Sequence, residues 1–216
     1  MYNKVISNIE IKNGLKQNNN TEELKTSYAC HGYSHSMRVS NYCAEILEGI
    51  GASEKEIELG KIAGYLHDVA CIKQGKKNHA QRGAKFVEEF LSDINMPSED
   101  IQIIRDAIYY HSEGKVINSN IGAALLIADK IDIAKNRIIR KSDSELYRVI
   151  TSINEISLDI NEREINICYN ANEEFSLEKL MIWKKAITLP IKAAKYCDRT
   201  CNFIVNNKKQ DLNQYL

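Results

Sequence analysis

The chain has 216 residues, 44% hydrophobic and 27% charged, and its 29 Lys and Arg side chains balance 29 Asp and Glu. That length supports one sizeable core but not two large domains, and the balanced, unclustered charge excludes a disordered chain or an extended nucleic-acid surface. No apolar run approaches the roughly 18 residues of a membrane helix, and the opening MYNKVISNIEIKNG lacks the apolar centre of a signal peptide, so the expected compartment is the cytoplasm.

Residues 1–29 read as an N-terminal segment in which the polar run LKQNNNTEELK, 15–25, forms a loop. From there apolar spacing near 3.6 predicts a helical body over 30–145. A first helix over 36–50 buries Val39, Cys43, Ile46 and Leu47 and stops at Gly51, which can adopt a left-handed cap. The next starts at Ser53, where Ser53 and Glu56 have the form of a capping box, and runs through Ile57, Ile62, Ala63 and Leu66 to His67. Asn78 is placed as the cap of a third helix covering Ala80, Ala84, Val87 and Leu91. Pro97 and Ser98 open a fourth, with Glu99 and Asp100 in the first turn as the helix dipole favours, ending at His111. The stretch 121–136, IGAALLIADKIDIAKN, is apolar almost all round in its first half and predicts a central buried helix.

Beyond 145 the period changes. Ile156, Leu158 and Ile160, then Ile165, Ile167 and Tyr169, alternate with polar neighbours around Asn161-Glu162-Arg163, the pattern of a β-hairpin. Ser176 caps a further helical stretch, expected to break at Pro190 and restart through Ile191, Ala194, Cys197, Cys201 and Ile204 before a loose tail. The fold class is therefore mainly α, a helical bundle over 30–145 with a small C-terminal β-hairpin and helical extension over 146–216. The six cysteines follow no regular framework and read as reduced, mostly buried thiols. Cys197 and Cys201 lack two further partners for zinc, since no histidine follows residue 111, and are assigned to core packing.

Chemistry concentrates in the first part of the chain. The stretch GYLHDVAC, 64–71, sets His67 and Asp68 among residues that favour burial, where two titratable side chains are costly unless compensated. The chain has five histidines: His35, His67, His79 and His111 fall at ends of separate predicted helices, and His31 lies one turn before His35. Asp129, in the apolar run LLIADKID, also needs a cation, whether metal, Lys130 or Lys135. Each of these residues alone is most simply a satisfied polar side chain. Together they suggest imidazoles and carboxylates converging on a metal in a helical bundle.

The ordered set H-x-x-R-V (His35 to Val39), H-D (His67 and Asp68), His79, His111 and A-D-K (Ala128 to Lys130) resembles the HD-domain superfamily of metal-dependent phosphohydrolases over about residues 30–140. The resemblance implies an HD-domain bundle with His35, His67, Asp68 and Asp129 as the primary metal site. It also resembles the two-metal branch, in which Asp68 bridges to a second ion held by His79 and His111. The runs IYYHSEG and LLIADKID look most like enzymes that cleave symmetrical dinucleoside polyphosphates, although IDIAKN stands where that branch has a glutamate-proline continuation. The implied activity is hydrolysis of a phosphate ester or phosphoanhydride in a nucleotide or related small molecule by metal-activated water, with Asp68 catalytic. Lys130 is a candidate for catalysis and for holding a phosphate oxygen; Arg82, one turn beyond His79, and His31, at the pocket rim, are further substrate contacts.

One or two divalent ions are implied, iron or manganese preferred for a mixed nitrogen and oxygen site, with magnesium, nickel or zinc as alternatives. The expected partner is a small phosphate compound such as a nucleotide, with no membrane and with a homodimer allowed by the C-terminal extension. The competing classes are a metal-holding nucleotide sensor without turnover and a di-iron oxygenase.

Overall fold

Residues 1–17, 28–71, 75 and 77–212 are described by a computed structural model. At the N-terminus α1 (Tyr2–Ile6) and α2 (Ile9–Gln17) bury Val5, Ile11 and Leu15. Residues 15–17 of the expected loop thus belong to a helix, because Leu15 continues an apolar face, and the rest of that run lies outside the described residues.

Among the described residues five helices form the body: α3 (Tyr33–Gly49), α4 (Glu54–Leu66), α5 (His79–Asp93), α6 (Ser98–Tyr110) and α7 (Asn120–Ile131). After α3, Gly51 takes φ +78° and the Ala52 amide donates to Leu47 O at 2.9 Å, closing the helix end. The capping box at Ser53 forms, with the Glu56 amide donating to Ser53 Oγ (3.3 Å) and the Ser53 amide to Glu56 Oε2 (3.0 Å). Asn78 departs from expectation: it precedes α5 in the left-handed region at φ +53°, and its side chain makes no cap hydrogen bond. In that conformation it serves as a turn residue, which asparagine tolerates.

The central helix is α7, packed by α3, α4, α6 and the C-terminal helix Lys185–Tyr196, with Ile121 and every residue from Ala123 to Ile131 buried. It ends five residues short of the predicted 136. At Asp132 (φ −75°, ψ 69°) the chain leaves the helix, the carboxylate turns to His35 and Arg38, and a 3-10 turn follows at Lys135–Arg137. The α3–α4 crossing is close: a Cβ on Gly64 would lie 2.7 Å from Ser40 Cα, so glycine there allows the contact that brings the two helices' histidines together.

The C-terminal part starts with α8 (Glu145–Thr151) and the hairpin β1 (Ile153–Ile160) and β2 (Glu164–Ala171), antiparallel with Ile156 opposite Tyr169 and Leu158 opposite Ile167. Asn161 Oδ1 accepts from the Arg163 and Glu164 amides and fixes the turn. Next come α9 (Leu177–Leu180), a 3-10 turn at Met181–Trp183 and α10 (Lys185–Tyr196). Pro190 lies inside α10 without ending it, so the expected break falls earlier, at the 3-10 turn.

The predicted restart through Cys201 and Ile204 is wrong. Asp198 takes φ +55°, and the chain enters β3 (Thr200–Val205), parallel to β2 with Ile165 opposite Cys201 and Ile167 opposite Phe203. Its β-branched and aromatic residues favour a strand, and its partner lies thirty-odd residues earlier, beyond the reach of local periodicity. β4 (Lys208–Lys209) pairs antiparallel with β3, so part of the expected tail completes a sheet of order β1-β2-β3-β4. Residues 213–216 lie outside the described residues.

Helix α10 also grips the loop that follows α6. Lys185 Nζ donates to Glu113 Oε1 (2.7 Å), Lys192 Nζ donates to Gly114 O (2.5 Å), and Gly114, at φ +59°, is wedged so that a Cβ would meet Leu189 at 2.8 Å and Leu126 at 3.1 Å. The fold is mainly helical, and no helix among the described residues is long and apolar enough to cross a membrane. All six cysteines are free thiols.

Candidate metal centre

Four histidines sit at helix ends because the helices bring those ends to one place. His35 lies in the first turn of α3, His67 directly follows α4, His79 opens α5 and His111 directly follows α6. Asp68 is next to His67, and Asp129 comes from the last turn of buried α7. Except for His79, which is part-exposed, these side chains are buried.

The Asp68 carboxylate faces two ways. Its Oδ2 lies 3.2 Å from His31 Nδ1, 3.6 Å from His67 Nε2 and 3.8 Å from His35 Nε2. Its Oδ1 lies 3.4 Å from His79 Nε2 and 3.9 Å from His111 Nε2. On the first side Asp129 Oδ1 adds a further oxygen, 3.4 Å from His35 Nε2 and 3.7 Å from His67 Nε2.

Backbone and side-chain acceptors settle which ring nitrogens carry hydrogen. His67 Nδ1 donates to Gly64 O (2.8 Å), His111 Nδ1 to Ile108 O (2.6 Å) and His35 Nδ1 to Asp132 Oδ2 (2.6 Å). In the neutral rings each Nε2 is then a lone pair aimed inward. His35 Nε2 and His67 Nε2 approach to 3.1 Å beside two carboxylates, a convergence of acceptors that a cation would satisfy. His79 Nε2 and His111 Nε2 also approach to 3.1 Å. Among the described residues three ligand sets have all their donor atoms within 4.8 Å of one another: His31, His35 and Asp68; His35, His67 and Asp129; and His67, Asp68 and His111. Their mixed nitrogen and oxygen character fits a divalent transition metal.

Electrostatics keeps Asp68, Asp129, His67 and His111 in the ligating form. Burial pushes the Asp68 and Asp129 carboxyls up, but neighbouring histidines, and Lys130 for Asp129, hold both well below the usual carboxylate range. Burial lowers the His67 pKa, and burial together with His67 brings His111 down to about 3. His35 differs: burial and Arg137 push it down, yet Asp129 and Asp132 raise it overall. Burial pushes Asp132 up as well, but His35 and Arg38 hold it ionised, with Arg38 Nε donating to Asp132 Oδ1 at 2.6 Å. A carboxylate behind a histidine in this way fixes ring orientation and raises ligand basicity.

Lys130 Nζ is committed to the Asp129 carboxylate, so its ammonium is used within the ligand set. Arg82 donates to Gly75 O (2.7 Å) and Asn78 O (3.4 Å) and lines an open groove with Lys77, Gln81 and Lys85. Two residues at the centre were not singled out from sequence. Asp132 is three residues past Asp129 as Arg38 is three past His35, a spacing that puts each pair on one helix face and could have drawn attention. Arg137 has no such signal: it reaches the centre because the chain turns at Asp132 and residue 138 pairs with Ala29 beside His31. Its buried guanidinium donates to Cys30 O (3.1 Å) and Asp132 O (2.7 Å).

Residues 32–202 match the family described as HD domain. The chain belongs to the HD domain family. Ribonuclease Y of Helicobacter pylori strain ATCC 700392 / 26695 is 26% identical to this HD domain chain over 137 residues, covering 62% of it and 24% of the relative. Ribonuclease Y of strain J99 gives 26% over 135 residues, covering 62% and 23%. The chain thus spans about a quarter of the length of these curated relatives. Among solved structures, a predicted HD superfamily hydrolase from an uncultured Thermotogales bacterium is 20% identical with a TM-score of 0.46, covering 66% of this chain and 84% of that one. HD domains bind divalent metals, and the His and Asp clusters of this one can hold an ion.

Proposed function

We propose that this HD domain hydrolyses a phosphate ester or phosphoanhydride in a nucleotide or related small molecule at a two-ion centre. His35, His67, Asp68 and Asp129 hold one ion; His79, His111 and the other Asp68 oxygen hold the second. The observation that carries this reading is the division of the Asp68 carboxylate, Oδ2 toward His35 and His67 and Oδ1 toward His79 and His111. Iron or manganese suits the donor set best. Bound ions supply neutralisation of phosphate charge and an activated water nucleophile.

The chain's own residues prepare that chemistry. Nδ1 hydrogen bonds to Gly64, Ile108 and Asp132 fix three imidazoles before any ligand arrives. Lys130 orients Asp129, and Asp132 with Arg38 orients His35. Arg38, Lys130 and Arg137 match the three carboxylates Asp68, Asp129 and Asp132, so with neutral histidines the protein groups sum to no net charge. Divalent ions then add positive charge that an anionic substrate compensates, which supports phosphate compounds over neutral ones. His31 stands at the edge of the first ion's ligands, against Asp68.

Metal analysis of the purified protein, combined with a manganese-supplemented substrate panel, tests the reading. The panel includes symmetrical dinucleoside polyphosphates, nucleoside mono- and diphosphates, and short RNA, since the relatives carry the name Ribonuclease Y. Two ions per chain and turnover of a small phosphate compound are expected. Absence of metal after careful reconstitution would sink the proposal, and nucleotide-induced thermal shift without turnover would leave a sensor in its place.

A further inference from the structure

Lys130 donates to Asp129, and Arg82 donates to the backbone at Gly75 and Asn78. The cation at the heart of the centre is Arg137, and its geometry is specific. Nε and Nη1 are anchored on Cys30 O and Asp132 O, which fixes the guanidinium plane. Nη2 then lies 3.3 Å from His35 Nε2 and 3.4 Å from His31 Nδ1.

Neither nitrogen serves as its acceptor once the centre is loaded. His31 Nδ1 faces Asp68 Oδ2 at 3.2 Å, a pairing in which the ring nitrogen donates and the carboxylate oxygen accepts. The single inward lone pair of His35 is the one an ion takes. The Nη2 hydrogen aimed there is left as a buried, positively charged donor beside further positive charge, an arrangement that an anionic oxygen resolves. We infer that Arg137 is a substrate contact, its Nη2 holding a non-bridging phosphate oxygen at the first ion. This rests on the two-ion phosphohydrolase reading and deepens it: the anchored fork selects a group with at least two anionic oxygens, one for the metal side and one for Arg137. A terminal phosphate, which carries up to two negative charges, compensates the ions and Arg137 better than a singly charged internal diester.

The test is calorimetric binding of inorganic phosphate to the manganese-loaded full chain, with metal content measured on the same samples. Replacing Arg137 by Met removes the donor; Arg137→Lys keeps a positive charge but cannot satisfy both carbonyl anchors and serves if the Met variant does not fold. Phosphate affinity is expected to fall about ten- to a hundredfold in Arg137→Met and less in Arg137→Lys, with manganese content unchanged. Unchanged affinity in a folded, loaded variant overturns the contact, and so does loss of manganese from a folded variant, which would make Arg137 a positioning residue for His35. If wild-type protein binds phosphate equally well after chelation while the variants bind it less well, the contact stands and the two-ion reading fails.

Discussion

The two sides of Asp68 are built differently. On the Oδ2 side the ligating atoms are buried and backed by charged groups: Asp132 and Arg38 behind His35, Lys130 behind Asp129, Arg137 alongside. On the Oδ1 side His79 keeps 16% of its side chain exposed, and His111 is steered by a carbonyl of its own helix. A site walled by fixed charges holds its ion tightly and at defined geometry; a site at the rim exchanges ion and ligand more readily.

The most damaging change is Asp68→Ala, which removes an oxygen from both sides. Metal analysis should find neither ion retained and activity at background; retention of full activity in a metal-loaded variant would contradict the shared carboxylate. His111→Ala should instead leave one ion per chain, since the buried side keeps its ligands, and abolish most turnover. If both ions disappear together, the two sides are not separable. Asp132→Asn keeps the shape behind His35 but removes its charge, and about a 10- to 100-fold loss of affinity for the first ion is expected from competition titrations.

A smaller effect distinguishes the sides by pH in the metal-free protein. His111, with its folded pKa near 3 against 6.5 unfolded, takes up its proton more readily when unfolded. Its contribution to stability is full above about pH 6.5 and is lost as the pH falls toward 3, at most about 1.4 kcal/mol per pH unit. His67 acts in the same sense, whereas His35, raised by its carboxylates, favours the fold at low pH and loses that contribution as pH rises through its folded value. The depressed carboxylates Asp68, Asp129 and Asp132 withdraw theirs only below about 3.8. Chemical denaturation across pH 4 to 6.5 should therefore show a shallower slope for His111→Gln than for the wild-type chain.

The parts readable from sequence were those whose cause is local. The capping box at Ser53, the stop at Gly51 and the all-apolar face of α7 each depend on neighbours within a turn or two. The histidines were legible as a group because helix ends coincide with local stop signals. β3 was not, because its justification is the pairing of Cys201 and Phe203 with Ile165 and Ile167 across a long connection. Arg137 was hidden for a related reason, since its role is created by a turn at Asp132 that exists because His35 and Arg38 draw that carboxylate away from the helix.

The grip of α10 on residues 112–115 has a thermodynamic consequence. Lys185, Leu189 and Lys192 hold the segment that begins one residue after His111, although the described residues of the C-terminal part add nothing to the His and Asp clusters. If the Oδ1 side holds the second ion proposed above, detachment of α10 and release of that ion are linked equilibria, each favouring the other. Gly114→Ala, strained at φ +59° and crowded by Leu189, should loosen that linkage by about 1–2 kcal/mol, visible as faster amide exchange in α10 that added manganese reverses. The crossover helix of the sheet thus braces the segment after His111 from outside, and the seating of one glycine against Leu189 sets how firmly.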